Sequence, residues 1–172
     1  MVVLMHGKMC EIRSVGSDSA DSVLRVYQAC EDFLALGPQR KADMAMVLRD
    51  LEESRQHGGF FCRIHDGTGK TIGVVDFTPG GFEGQPHVAF FSLLMVVPPM
   101  RRRGIGMDVV GRIEEEIGRD PGVTVIRSAV QVNNPDGKRF WLRCGYRIVG
   151  EPEEQPDGTT VVHLEKTLGH GV

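Results

Sequence analysis

The stretch "VVPPMRRRGIGMDVV", residues 96–110, sets two prolines, three arginines and two glycines between two apolar runs. The run before it, "HVAFFSLLMVV" over 87–97, has the composition of a strand buried on both faces. After it, Gly104 to Gly118 carries Ile105, Val109, Val110, Ile113 and Ile117 at helical spacing, with Glu114 and Glu116 largely towards solvent. Three positive charges therefore stand on a turn from strand to helix. The glycines let the backbone come close to a ligand, and the free N–H groups of the first helical turn point outward. The helix dipole adds partial positive charge at the same place, which favours a pyrophosphate. Strings of the form R-x-x-G-x-G are common, however, and three arginines also suit a solvated surface. A dinucleotide fingerprint, G-x-G-x-x-G, is absent because Val109 stands at its last position.

The rest of the chain bounds the answer. Its 172 residues are enough for one domain with a real core, and the 41% hydrophobic and 25% charged fractions are ordinary for a globular protein. A net charge of -3 argues against coating nucleic acid by overall charge, so the arginine run is a local feature. Cys10, Cys30, Cys62 and Cys144 form no CxxC pair, which points to small buried thiols in a reducing cytosol rather than disulfides or a zinc ribbon. The opening MVVLMHGKMC is too short an apolar stretch for a signal peptide or a membrane span, and Met1, Met5 and Met9 all remain as start sites. The expected location is cytoplasmic.

No repeat, low-complexity tract or linker divides the sequence. Cys10 to Val15 reads as a strand; Ser17 or Asp18 then caps a helix carrying Val23, Leu24, Tyr27, Leu34 and Leu36, which stops at Gly37-Pro38. Lys41 to Gln56 is a second helix. Phe60 to Ile64 and Thr71 to Phe77 are strands joined by "HDGTGK", and "PGGFEGQP" is a loop before the buried strand. Val123 to Val132 is another buried strand. Asn134 caps the helix that follows, Pro135 suits its first position and Gly145 ends it. Arg147 to Val149 and Thr159 to Leu164 close a final hairpin. The order is β-α-α-β-β-β-α-β-α-β-β, an α/β domain with a mixed sheet flanked by helices.

A competing phosphate cradle, "GTGKT" at 67–71, resembles the end of a Walker A loop. That loop needs a glycine where Ile64 stands, and it opens onto a helix, whereas Thr71 begins the strand TIGVVDF. A hairpin turn explains it better.

Val96-x-Pro98-x-x-Arg101-x-x-Gly104-x-Gly106 together with Asn134-Pro135-x-Gly137-x-x-Phe140-Trp141-x-x-x-Gly145-Tyr146 resembles the GNAT acetyltransferase superfamily. The element order matches that fold from about 11 to 168, within one domain spanning 1–172. The resemblance implies direct transfer of an acetyl group from acetyl-CoA to a primary amine, without a metal. It implies that Leu94, Met95 and Val96 lie along the pantetheine arm and that a backbone N–H near Val96 polarises the thioester carbonyl. It also implies that Arg101, Arg102, Arg103, Gly104, Ile105 and Gly106 hold the pyrophosphate. Asn134 would contact the pantetheine or stabilise the helix start.

The sequence departs from the family pattern where proton transfer is concerned. The family's general acid is a tyrosine at the position of Trp141, and an indole N–H does not give up a proton near neutral pH. Trp141 would then pack on the cofactor or fill the core. A thiolate is a tolerable leaving group, with a reference pKa of about 8.5, so water can protonate it. Some relatives place a glutamate where Ala129 stands. The remaining candidates for a base are His87, Asp76 and Glu83. The acceptor mouth is expected between "LGPQRK" at 36–41 and "PGGFEGQPH" at 79–87, with Phe82 for an apolar group and Glu83 or Asp32 for an ammonium. A small-molecule or peptide amine is the expected partner, without nucleic acid or membrane, and dimers are frequent in the family, so a homodimer stays open. Two other readings are a non-catalytic acyl-CoA-binding or regulatory module, motivated by Trp141 and Ala129, and nucleic-acid binding through Arg101 to Arg103.

Overall fold

The computed structural model describes residues 4–6, 9–16 and 19–169. Strands β1 (Leu4–His6), β2 (Glu11–Ser14), β3 (Phe60–His65), β4 (Thr71–Thr78), β5 (Val88–Val96), β6 (Val125–Gln131), β7 (Arg147–Glu154) and β8 (Thr160–Thr167) form one sheet. Their order is β1-β2-β3-β4-β5-β6-β8-β7. Only β5 and β6 run parallel; the chain crosses between them through helix α4 (Ile105–Ile117). Helices α1 (Ala20–Ala29), α2 (Glu31–Leu34) and α3 (Met44–Gln56) precede β3, and α5 (Pro135–Arg143) joins β6 to β7.

Alternation along the strands splits the core in two. Ile64, Ile72, Val75, Ala89, Phe91 and Ile126 face α4 and α5, whose Ile105, Val109, Ile113 and Trp141 complete that layer. Phe61, Val74 and Met95 face the opposite way, onto Val23, Val26 and Tyr27 of α1 and Val47 of α3. Asp43 starts α3 by accepting the Met46 N–H at 2.7 Å, a first-turn donor that has no partner within the helix.

The expected element order holds, with three differences. The long first helix is interrupted at Cys30, whose φ of -107° and ψ of 24° break it into α1 and α2. β1 precedes the expected first strand, and Arg112 of α4 fastens it by donating to the Met5 carbonyl at 3.2 Å. Strand β7 runs on through "EPEE" by way of a wide bulge between Val149 and Glu153. Glu114 is not solvated as expected: its carboxylate accepts from Lys166 of β8 at 2.6 Å. The capping role expected of Ser17 or Asp18 lies outside the described residues. "GTGKT" is a hairpin turn, as expected, in which the Asp66 carboxylate accepts from the N–H groups of Thr68 at 2.9 Å and Lys70 at 3.0 Å. All four cysteines are free, three of them buried. Among the described residues no helix is long and apolar enough to cross a membrane.

The central feature is a fork. β5 pairs with β6 only from Val88 to Phe91, opposite Val125 to Ser128. Beyond Phe91, β5 stays with β4 while Ala129 to Gln131 of β6 stay with β8. A bulge drives the separation. Asp76 of β4 faces Leu93 and Phe77 faces Phe91, so Ser92 is an extra residue that bends β5 away from β6. The strand expected to be buried on both faces is therefore closed only as far as Phe91, and Ser92 is exposed at the parting.

Candidate active site

Which backbone groups face the gap follows from register. The Val97 N–H donates to the Ile72 carbonyl on β4, so the pairing groups of Met95 and Leu93 also turn towards β4. The N–H and C=O groups of Leu94 and the N–H of Val96 turn the other way, into the fork, while the Val96 carbonyl is taken by Arg101. They offer an extended ligand the place of a missing strand. Met95 does not join them: its backbone faces β4 and its side chain is buried against α1, which corrects the expectation that all three residues line the arm.

The N-terminus of α4 stands at the mouth of the fork. Its N-cap, Gly104, has φ 82° and supplies no side chain, so the N–H groups of Ile105, Gly106 and Met107 have no cap. The Asp108 N–H is the first to find a helical partner, the Gly104 carbonyl, at 3.0 Å. Gly106 is the point of closest packing: a Cβ there would lie 2.9 Å from the Phe140 ring and 3.8 Å from Leu94. This uncapped, cationic end beside a bare strand edge fits an extended molecule that ends in a pyrophosphate.

The three arginines divide. Arg102, with φ 59°, and Arg103 are exposed and form no ion pair among the described residues. Arg101 is not free to reach a phosphate, contrary to expectation. Its Nε donates to the Val96 carbonyl at 2.7 Å, and its other nitrogens fork onto the Asp32 carboxylate, one of them at 3.0 Å. That ion pair holds the Asp32 carboxyl below its ordinary range. Arg101 thus ties α2 to the end of β5, and Asp32 is not available to hold an ammonium.

Asn134 caps α5 by accepting the Gly137 N–H at 2.8 Å. A Cβ on Gly137 would lie 2.6 Å from the Asn134 Nδ2 and 2.9 Å from Val130, so the cap as built leaves no room for a side chain there. Asn134→Ala is expected to cost about 1 kcal/mol of stability. Gly137→Ala is expected to cost at least as much, because the new methyl displaces the same cap. Thermal melting of both variants checks this; a Gly137→Ala protein as stable as wild type would show that the cap yields freely.

Trp141 is in the core, 5.4 Å from Phe91 and 4.9 Å from Tyr146 between ring centroids. His87 is exposed at the closed end of β5, where its carbonyl accepts from Thr124. It stands about 17 Å along the strand from Ser92, so the structure does not bring it to the parting. Phe82 and Glu83 share that closed end, Phe82 stacking on Phe90 at 3.9 Å. The loop at 36–41 and the loop at 79–87, expected to share one mouth, lie apart, the second at the closed end of β5. Leu36, Gly37 and Pro38 border a cleft of about 380 Å³ with Asn133 and the 157–160 turn, next to the splayed end of β6. Among the described residues no group of three or more His, Cys, Asp and Glu could hold a metal ion.

The family model of the acetyltransferase (GNAT) family matches residues 22–146. The chain belongs to the GNAT family. Among solved structures, an acetyltransferase from Thermus thermophilus is similar, at 22% identity and a TM-score of 0.79, over 95% of this chain and 100% of that one. RimL, a ribosomal L7/L12 alpha-N-protein acetyltransferase, aligns at 11% identity with a TM-score of 0.80, over 98% and 96%. A spermidine N-acetyltransferase from Vibrio cholerae, in complex with CoA and spermine, aligns at 13% identity and a TM-score of 0.70, over 94% and 96%. No curated protein matches the sequence.

Near the parting of the GNAT fork stands one buried carboxyl. Asp76 of β4 is 7% exposed and accepts from Ser54 Oγ at 2.6 Å, and the Ser92 hydroxyl at the bulge lies near enough to draw its carboxyl down. Burial pushes its carboxyl above the ordinary range, with the two serines pulling the other way. A carboxyl that reaches the parting through one hydroxyl was legible in sequence only as a residue near a strand end. Its partners, Ser54 and Ser92, lie 22 and 16 residues away along the chain.

Proposed function

We propose that this GNAT protein transfers an acetyl group from acetyl-CoA to a primary amine of a small molecule or a peptide. The observation that carries the reading is the fork, with the open backbone groups of Leu94 and the Val96 N–H leading to the uncapped start of α4. Bound there, acetyl-CoA supplies an activated thioester. Leu94 and Val96 hold the extended arm through backbone groups, and the Val96 N–H donates to the carbonyl oxygen as it gains charge. The N–H groups of Ile105, Gly106 and Met107 hold the pyrophosphate, with Arg102 and Arg103 adding charge. Asn134 stiffens the opposite wall.

The acceptor enters by the cleft at Leu36–Pro38. Asp157, on its rim, is held ionised by hydrogen bonds from Thr159 and draws an ammonium in. The ammonium gives one proton to solvent to become the nucleophilic amine, and Asp76 takes the second, through Ser92, as the amine nitrogen bonds to the carbonyl carbon and the carbon–sulfur bond breaks. No acid at Trp141 is needed because the thiolate leaves and is protonated from water. The free, buried thiols suit work in the cytoplasm.

Thiol release from acetyl-CoA, measured over a panel of polyamines, amino acids, aminoglycosides and peptides, tests the reading. Turnover with at least one amine, well above background hydrolysis, is the expected result. Saturable acetyl-CoA binding with no turnover on any amine would favour a non-catalytic binding module. Because the Asp76 carboxyl titrates above the usual range, kcat is expected to rise with pH through that raised value. Asp76→Asn should remove this rise and lower kcat by about 100-fold. An unchanged pH profile would exclude Asp76 as the proton acceptor.

A further inference from the structure

On the face of the sheet that carries α1, away from α4, a cavity of about 560 Å³ is lined by four basic side chains from three places. Arg25 comes from α1, Arg63 and His65 from β3, and Lys70 from the β3–β4 turn. No carboxylate among the described residues lines it. Val26, Val97 and Pro99 give it an apolar wall.

Two of the residues that line it each carry a buried polar atom without a partner. His65 is 6% exposed, and its Nδ1 meets the Gly69 carbonyl at 3.1 Å. A carbonyl only accepts, so Nδ1 carries the proton and Nε2 is the free nitrogen; it is buried without a partner. Arg63 Nε is buried without a partner as well, while its NH1 donates to Ser22 Oγ at 3.3 Å. Arg25 and Lys70 are exposed and form no ion pair among the described residues. The neighbouring carboxylates are engaged elsewhere. Glu11, across from His65 on β2, is forked by Arg13 at 2.7 and 2.8 Å. Asp66 is held by Thr68 and the Lys70 N–H. Buried polar atoms without partners are rare in folded proteins, and here two residues that carry them line one cavity with two further cations.

We propose that this cavity is a second anion site, separate from the fork, for a small phosphomonoester with an apolar body. The guanidinium of Arg63 donates to the phosphate oxygens, and His65 Nε2, the ring's acceptor, takes the P–OH of the phosphomonoester monoanion. Arg25 and Lys70 offset the remaining charge, and the apolar body lies on Val26, Val97 and Pro99. The assignment does not rest on acetyl transfer. One alternative source of the same chemical group is the phosphomonoester of coenzyme A itself, and competition separates the two.

Calorimetric titration with phenyl phosphate, alone and with saturating coenzyme A, tests the proposal. One phenyl phosphate per chain is expected, with its affinity unchanged by coenzyme A. Inorganic phosphate and benzoate should each bind about tenfold more weakly, the first for lack of an apolar body and the second for its smaller charge and fewer acceptor oxygens. The double variant Arg25→Gln, Lys70→Gln changes only exposed positions and should weaken binding about tenfold or more. Arg55→Gln, outside the cavity, should not. Displacement of phenyl phosphate by coenzyme A, absence of binding at millimolar concentration, or equal affinity in the double variant would each overturn it.

Discussion

Changing Arg103 to Glu and Gly104 to Asp together is expected to weaken acetyl-CoA binding by about 100- to 1,000-fold, or ~3–4 kcal/mol. The double change adds three units of negative charge, two at Arg103 and one at Gly104, where the dipole of α4 and its free N–H groups favour an anion. Asp at the N-cap also accepts from the first-turn N–H groups, so donors meant for a ligand become satisfied within the chain. Gly104 has φ 82°, a conformation that Asp tolerates better than most residues. The new cap therefore offsets part of the backbone cost, and the fold should survive. Isothermal calorimetry with acetyl-CoA, beside circular dichroism of both proteins, reads the effect. Binding kept within about threefold of wild type would mean that no pyrophosphate rests on this turn. Absence of binding to the wild type would point to a bulkier acyl donor.

Trp141→Ala should be among the most destabilising single changes in the molecule, at about 4 kcal/mol. For a chain of this size that lowers Tm by about 8–16 °C. The indole is 7% exposed and touches Phe91, Phe140 and Tyr146, and Phe91 is the last residue of β5 paired to β6. The apex of the fork rests on it. Trp141→Phe keeps an aromatic ring in the same space and should lower Tm by only a few degrees, leaving the pH dependence of kcat unchanged. A stable Trp141→Phe protein whose pH profile had moved would mean that the indole takes part in proton transfer.

The parts of this molecule that were legible in its sequence are those written in neighbouring residues. The turn from Val96 to Gly106, the Asn134-Pro135 helix start and the hairpin at 66–70 each carry their own instructions within a few positions. The break at Cys30 carries none: no glycine or proline marks it, and it comes from the fold around α1 and α2. Strand β7 was cut short because Glu151, Pro152 and Glu153 look like a loop, and only pairing with β8 makes them a bulged strand. Arg101 looked like its neighbours until Asp32, 69 residues earlier, was found against it. The serine partners of Asp76 and the shared cavity of Arg25, Arg63, His65 and Lys70 likewise exist only once distant elements meet. Local chemistry was readable, and long-range chemistry was not.

The outer margins of the sheet have a further consequence. One margin is β1, of only three residues, and the other is β7, bulged, rich in glutamate and interrupted by Pro152. Short, charged or proline-bearing margins discourage one sheet from adding to another. Inside the fork the reverse holds, since Leu94 and the Val96 N–H present open backbone between the diverging strands β5 and β6. The chain thus discourages sheet addition at its perimeter and keeps an open strand edge inside, for a guest as slender as a single strand.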